Sequence, residues 1–548
     1  METPLSQAQE KNNLGYIMSI TLVATLGGLL FGYDTAVISG AVGALKNFFV
    51  APLFENEAVA MQVIAEYKVA VTACFLIIGI LISSFMFRLF SKKKAIIFGV
   101  ILMVAGLLVW YFQFWSQPNI LTNDVANSIN GFTISSALIG CIIGGSIGGY
   151  VSQTIGRKNG LIVAALLFTL SAIGSAVPDT LNFLGAEVIS SFILYRVMGG
   201  IGVGLASMLS PMYIAEIAPA HIRGKLVSWN QFAIIFGMLV VYFVNYFIAE
   251  QGDEGWLDDT GWRWMFASET IPAIIFFSLL IFVPETPRFQ VLQSKNDSAF
   301  QTLSKLNGAE RAREIMEDIK KSLRVKKAPW LTYGWTVIVI GIMLSVFQQF
   351  VGINVVLYYA PEIFRNMGSA TNVSLMQTII VGAVNLIFTV VAILTVDKFG
   401  RKKLQIIGAI GMAISMFGLG FTFFFDALGV GSLLFMLFYV ASFAVSWGPV
   451  VWVLLSEIFP NSIRGAMSIA VAAQWIANLI ISWTFPMLND SIWLTEQFNH
   501  GFAYWIYGFM GILAAIFMYK VVPETKGRTL EDMENVWLVK KEKEIVNV

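Results

Sequence analysis

Two kinds of polar residue stand where this sequence is otherwise apolar, and each points to a chemistry. Asp34, in LLFGYDTAV, lies about 20 residues into the first apolar run, where an ionised carboxylate demands a counter-charge or a proton. Arg196, in YRVMGG, is the natural partner. A carboxylate that is paired when charged and released when protonated turns proton uptake into a bias between conformations. The second set is five amides in apolar segments: Gln231, Gln348, Gln349, Asn354 and Gln474. Amides both donate and accept, which suits a neutral, hydroxyl-rich ligand. Gln348 and Asn354 share a helix face only if the helix breaks between them, and Gly352 supplies the place. No nucleophile with a base, metal-ligand cluster or phosphate loop is present; His221 and His500 are isolated, and Cys74 and Cys141 read as buried thiols. We therefore expect no enzyme, no cofactor or metal, and no nucleic-acid partner.

The elements that position these groups follow from composition and a repeat. Hydrophobic residues make up 57% of the 548 and charged residues 13%, with mean hydropathy +0.74, a bilayer composition rather than a soluble core. EIAPAHIRG (Glu216 to Gly224) returns 241 residues later as EIFPNSIRG (Glu457 to Gly465). Gly156-Arg157-Lys158 returns after 244 residues as Gly400-Arg401-Lys402, and Pro284-Glu285-Thr286 after 239 as Pro523-Glu524-Thr525. One period carried by three motifs means two bundles related by an axis along the membrane normal, with a site between them near the midplane. Apolar runs begin near Gly15, Asn130, Lys158, Val188, Gly224 and Trp262, then near Tyr333, Val373, Lys402, Gly431, Gly465 and His500. The expected fold is all-α and integral to the membrane: an N-terminal bundle (1–284), a cytoplasmic helical linker (285–330), a C-terminal bundle (331–523) and a cytoplasmic tail (524–548).

Two further runs, Tyr67 to Phe90 and Ala95 to Trp115, form an extra hairpin (67–115) and bring the count to fourteen spans. An even insertion leaves every later helix in its orientation and puts Lys92-Lys93-Lys94 with the other basic turns. The hairpin aligns loosely with the pair after it, at an offset of 65 residues, as either a tandem duplication or convergent apolar composition would. Basic turns at Arg157, Arg223, Arg401 and Arg464 alternate with acidic ones such as QGDEGWLDDTG, so the basic set and both termini are expected in the cytoplasm and no cleaved leader is read. The repeated charges, Glu216 with Arg223, Glu457 with Arg464, Glu285 with Arg288, and the arginines Arg157 and Arg401, are expected to form pairs between the bundles that close a cytoplasmic gate.

YRVMGGIGVG (Tyr195 to Gly204), PMYIAEIAPAHIRGK, PETPR, QQFVGINVVLYYAP (Gln348 to Pro361), DKFGRK (Asp397 to Lys402), WGPVVWVLLSEIFPNSIRG and PETKGRTLE together resemble the sugar porter family of the major facilitator superfamily, most closely its bacterial proton-coupled pentose symporters. The resemblance covers about 18–50 and 130–534 and leaves the hairpin outside. It implies the major facilitator fold, a proton-coupling site at Asp34 and Arg196 tuned by Glu269, and sugar contacts at the five amides, Trp452 and Trp475, with Phe31 and Tyr358 beside them. It also implies a monomer in the bacterial inner membrane that carries a monosaccharide with a proton, D-xylose first. A glucose or galactose symporter, a facilitative uniporter and a non-transporting sensor are the alternatives; Asp34 with Arg196 argues against the uniporter, and the 25 residues after Pro523 against the sensor. Met238 stands where those symporters carry a second glutamine, which leaves pentose against hexose open. Gln153-Thr154 replaces the acidic-basic pair that Asp397-Lys398 keeps, so the gate is expected to be asymmetric.

Overall fold

The computed structural model describes residues 14–538, apart from 91, 183–184, 220–221, 324–327 and 529–531. Among the described residues, thirteen helices are long and apolar enough to cross a membrane. With no water in the bilayer core, such runs satisfy their backbone groups internally and become helices. The first half is built from α1 (Leu14–Leu45), α4 (Asn123–Thr154), α5 (Arg157–Ala176), α6 (Val188–Ile217), α7 (Arg223–Ala249) and α8 (Glu254–Phe282). Between α1 and α4 the hairpin consists of α2 (Glu57–Leu89) and α3 (Lys92–Trp110). Helix α2 begins ten residues before the expected Tyr67, because Asn56 caps it by accepting from Val59 N at 3.2 Å. The second hairpin helix is the shorter one, with its apolar stretch at Ala95–Leu108.

Three short helices, α9 (Pro287–Leu292), α10 (Asn296–Asn307) and α11 (Ala309–Leu323), form the linker, as its mixed charges at helical spacing suggested. The second half contains α12 (Trp335–Phe350), α13 (Ile353–Tyr358), α14 (Ala360–Asn366), α15 (Thr371–Phe399), α16 (Arg401–Phe424), α17 (Val430–Ala444), α18 (Trp447–Ile458), α19 (Met467–Asn489), α20 (Ile492–Phe498) and α21 (Phe502–Lys520). The break after α12 falls at Gly352, whose φ of +93° places it in the left-handed region. The Tyr439 hydroxyl donates to the carbonyl of Val351 beside that break at 2.7 Å.

Close helix contact comes from small residues. A Cβ on Gly140 or Gly200 would run into the carbonyl of Val197 or Ala137, so α4 and α6 meet backbone to backbone. Gly32 and Gly237 do the same for α1 and α7. Between the halves, Gly131 on α4 admits the Trp483 carbonyl of α19.

Candidate functional site

Asp34 and Arg196 meet in the first half, where α1 faces α6. Arg196 Nη1 donates to Asp34 Oδ1 at 2.8 Å and Nη2 to the Asp34 carbonyl at 3.0 Å, and the two side chains are 0% and 1% exposed. Arg196 also lies over the Phe266 ring at 5.2 Å. Glu269 occupies a turn in α8, three residues before Pro272, and is a fully buried neighbour of the pair. Asp34 Oδ2 and both Glu269 carboxyl oxygens have no hydrogen-bond partner. Two buried carboxylates beside one guanidinium carry one negative charge too many for a low-dielectric site, and a proton on either would neutralise it.

The amides gather at the interrupted helix of the second half. Asn354 Nδ2 donates to Gln349 Oε1 at 2.5 Å across the Gly352 break. Gln348 Nε2 donates to the carbonyls of Trp447 and Gly448 at 2.8 and 3.3 Å, at the start of α18, and its Oε1 is left without a donor. Gln474 is likewise buried with an unpartnered Oε1. Phe31 of α1 and Trp475 of α19 face each other across the halves at 5.8 Å, and Trp475 passes close to Gly145 of α4. Tyr358 is buried, contacts Asn478 and is near enough to Asp34 and Arg196 to feel both charges. Gln231 and Trp452 are half-buried on α7 and α18, and among the described residues no hydrogen bond joins either to this cluster. Met238, two turns after Gln231 on the same face of α7, is buried.

The repeated charges assemble differently from expectation. Arg157 pairs with Glu216 at 2.8 Å and Arg401 with Glu457 at 2.7 Å, so each pair lies inside one half rather than between halves. Glu285 turns to the N–H groups of Arg157, Lys158 and Thr286, not to Arg288, while Glu524 does the same for Arg401, Lys402 and Thr525. A carboxylate set against the first turn of a helix meets unpaired N–H groups and the positive end of the dipole, and that outcompetes a single arginine side chain. The three repeated motifs are thus one cluster per half: the turn glycine, the helix it starts and the glutamates that hold both. Gly156 and Gly400 have φ of +98° and +88°. Burial pushes the Glu285 carboxyl above the usual glutamate range, against its N–H donors. The clusters differ at the threonine: Thr525 Oγ1 donates to Glu457 at 2.5 Å, whereas Thr286 Oγ1 has no partner. Arg223 is exposed on α7 and Arg288 half-buried on α9; His221, both termini and the side chains of Asp397 and Arg464 lie outside the described residues.

Contacts between the halves are found instead on the acidic-loop face. Lys46 Nζ bonds Asp490 Oδ2 at 2.7 Å, Asn127 Nδ2 donates to the Asp490 carbonyl at 3.0 Å, and Thr371 donates to Glu254 at 2.6 Å. That face is closed in this conformation.

The family model described as "Sugar (and other) transporter" matches residues 20–122 and 109–537. The chain belongs to the sugar transporter family. It is 54% identical to the D-xylose-proton symporter of Escherichia coli (strain K12) over 539 residues, covering 96% of each chain. It is 35% identical to the glucose facilitated diffusion protein of Zymomonas mobilis, covering 96% of this chain and 98% of that one. The inward open structure of the E. coli xylose transporter superposes with a TM-score of 0.76 at 53% identity, over 95% of this chain and all of that one. The family match corrects one expectation, because the hairpin falls inside the first matched stretch rather than outside it.

Within this transporter, sequence reading missed the acidic-face closure. Lys46 and Asp490 end helices of opposite halves, but 444 residues separate them and their loops carried only an orientation signal. It also missed Asn127, whose partner is a backbone carbonyl that no motif displays.

Proposed function

We propose that this chain carries a monosaccharide, D-xylose first, together with a proton, by alternating access in the bacterial inner membrane. The observation that carries this reading is the fully buried Asp34–Arg196 pair with Glu269 beside it and three carboxyl oxygens left without donors. Protonation of this group frees Arg196 from Asp34 and lets the halves rock about the buried seam; loss of the proton restores the pair. Gln348, Gln349, Asn354 and Gln474 bind sugar hydroxyls, Gln231 adds a contact from the first half, and Trp452, Trp475 and Phe31 cover the carbon face. Tyr358, on the second half and buried within electrostatic range of the charged pair, is placed to link the two sites. The basic turns face the cytoplasm under the positive-inside rule, and the polar contacts that join the halves on the opposite, acidic face fit a carrier that opens toward that cytoplasmic side. The 54% identical E. coli relative, a D-xylose-proton symporter, supports both the sugar and the coupling ion. Met238 removes a donor and acceptor from the first-half wall, which favours a hexose as the second reading.

Asp34→Asn tests the mechanism in proteoliposomes with an imposed proton gradient. Asparagine mimics the protonated acid but cannot release a proton, so concentration of labelled xylose should vanish while exchange of labelled for unlabelled sugar survives. Accumulation by the variant under a proton gradient alone would refute the role of Asp34. Running wild-type protein with xylose and glucose in parallel separates the two sugar readings.

A further inference from the structure

Helix α2 of the hairpin runs along the seam where α4 of the first half meets α19 of the second. Near the acidic face it is tied to the first half. The Tyr67 hydroxyl bonds Ser128 Oγ at 2.7 Å, and Glu66 accepts from Glu187 N at 3.1 Å and from Ser190 Oγ at 2.5 Å. Ser128 also takes the Trp483 indole N–H, at 3.0 Å on its carbonyl and 3.2 Å on its hydroxyl, so hairpin and both halves meet at one point. From Tyr67 to Arg88 the helix rises about 32 Å, the thickness of the hydrocarbon core.

At the basic face the same helix grips the other half. Phe85 lies 6.3 Å from the Trp330 ring, Arg88 stands over that indole at 5.4 Å, and Phe90 lies 5.2 Å from Trp335. Trp330 is anchored in the second half: Ala328 N donates to the Ser462 carbonyl at 3.0 Å, the Tyr333 hydroxyl bonds Ser462 Oγ at 3.1 Å, and Gly465 packs under the indole. A stiff helix held by one body at one end and by the other body at the far end cannot keep both holds when those bodies rotate about each other. The holds coexist here, with the acidic face closed by Lys46 and Asp490.

We infer that α2 is a strap whose aromatic and cationic grip on Trp330 and Trp335 stabilises the cytoplasm-open state and has to let go for the carrier to turn outward. This rests on the alternating-access reading above. The hairpin is then a setting of the conformational equilibrium and not a passive addition. Sugar site, proton site and strap share no residue, so the strap can be altered alone.

The test uses the full chain in liposomes, spin-labelled at Gln251→Cys and Gln497→Cys, two exposed acidic-face positions in opposite halves. Pulsed dipolar spectroscopy reads the populations with that face closed and open. Arg88→Ala and Phe85→Ala should each raise the open-to-closed ratio about fivefold, the scale of losing one cation–aromatic or ring contact. Arg88→Lys keeps the cation and should leave the ratio within about twofold of the parent. Trp330→Ala removes the ring that both Arg88 and Phe85 contact and should raise the ratio at least as much as either, and adding Arg88→Ala to it should change little more. Unchanged ratios in both Arg88→Ala and Phe85→Ala, or a shift in Trp330→Ala alone, would overturn the strap. A single population in the unaltered chain, with and without xylose, would overturn the rocking itself.

Discussion

Asp34 and Glu269 share one cation, and that imbalance is the chemical centre of the molecule. Arg196 spends two nitrogens on Asp34 and leaves the Glu269 carboxyl oxygens without a donor. An unpaired buried charge is far costlier than a shared proton, so the trio is built to take one up. Around the proposed sugar cluster the polar groups meet one another. Asn354 donates to Gln349 there. Gln349→Ala or Trp452→Ala should abolish xylose binding by the purified protein, measured calorimetrically, with unfolding temperature within a few degrees of the parent. Parental affinity in both variants would sink the site. Glu362 tests the electrostatics away from the membrane core. Burial pushes its carboxyl above the usual glutamate range, opposed by Arg365 at 3.7 Å. A raised folded value contributes stability at low pH that is lost as pH climbs from about 4.3 through that raised value. Glu362→Gln has no such slope, so it should gain unfolding temperature relative to the parent at pH 8 compared with pH 4.5. An equal difference at both pH values would contradict this.

Elements matter through their interruptions. Gly352 ends α12 with a left-handed residue and lets α13 restart at an angle, which is what brings Asn354 back onto Gln349 six positions after Gln348. A Cβ there would stand 2.7 Å from the Tyr507 ring. Gly352→Ala should cost about 1–3 kcal/mol, from strain and displacement of that ring, and should weaken sugar binding together with stability. Loss of stability with parental affinity would mean that the break does not shape the site. The glutamate-capped turns are the second kind of interruption. Glu285 and Glu524 fasten the end of each half to the start of α5 or α16, over 100 residues away, so that each half moves as one body.

At the scale of the molecule, two rigid halves meet on the acidic face through few polar contacts, which suits a closure that must reopen. Lys46 and Asp490 are 38% and 19% exposed, so their pair holds the face shut only modestly. Asp490→Asn should raise the population open on that face about twofold to fivefold, read by the same spin-label distances, with the Asp34 pair intact. No change would place the closure in the backbone contacts of Asn127 and Trp483 instead. The hairpin acts at this scale as well, since α2 touches both halves and neither site.

Much of this was legible in the residues themselves. The apolar runs predict the spans because a bilayer leaves the backbone no other way to pair. The repeat announces two bundles, Asp34 and Arg196 betray themselves by charge at depth, and Gly352 marks its own break. Partners were not legible. Glu216 and Arg223 are seven residues apart and look paired, yet the glutamate takes Arg157, 59 residues away. Lys46 and Asp490, or Arg88 and Trp330, carry no motif at all. Helix identity is decided locally by composition and backbone saturation, and one sequence stretch suffices to determine it. Which side chains meet depends on how glycine-lined faces bring distant helices together, and on which of two rocking states the halves adopt, and only the tertiary structure decides that.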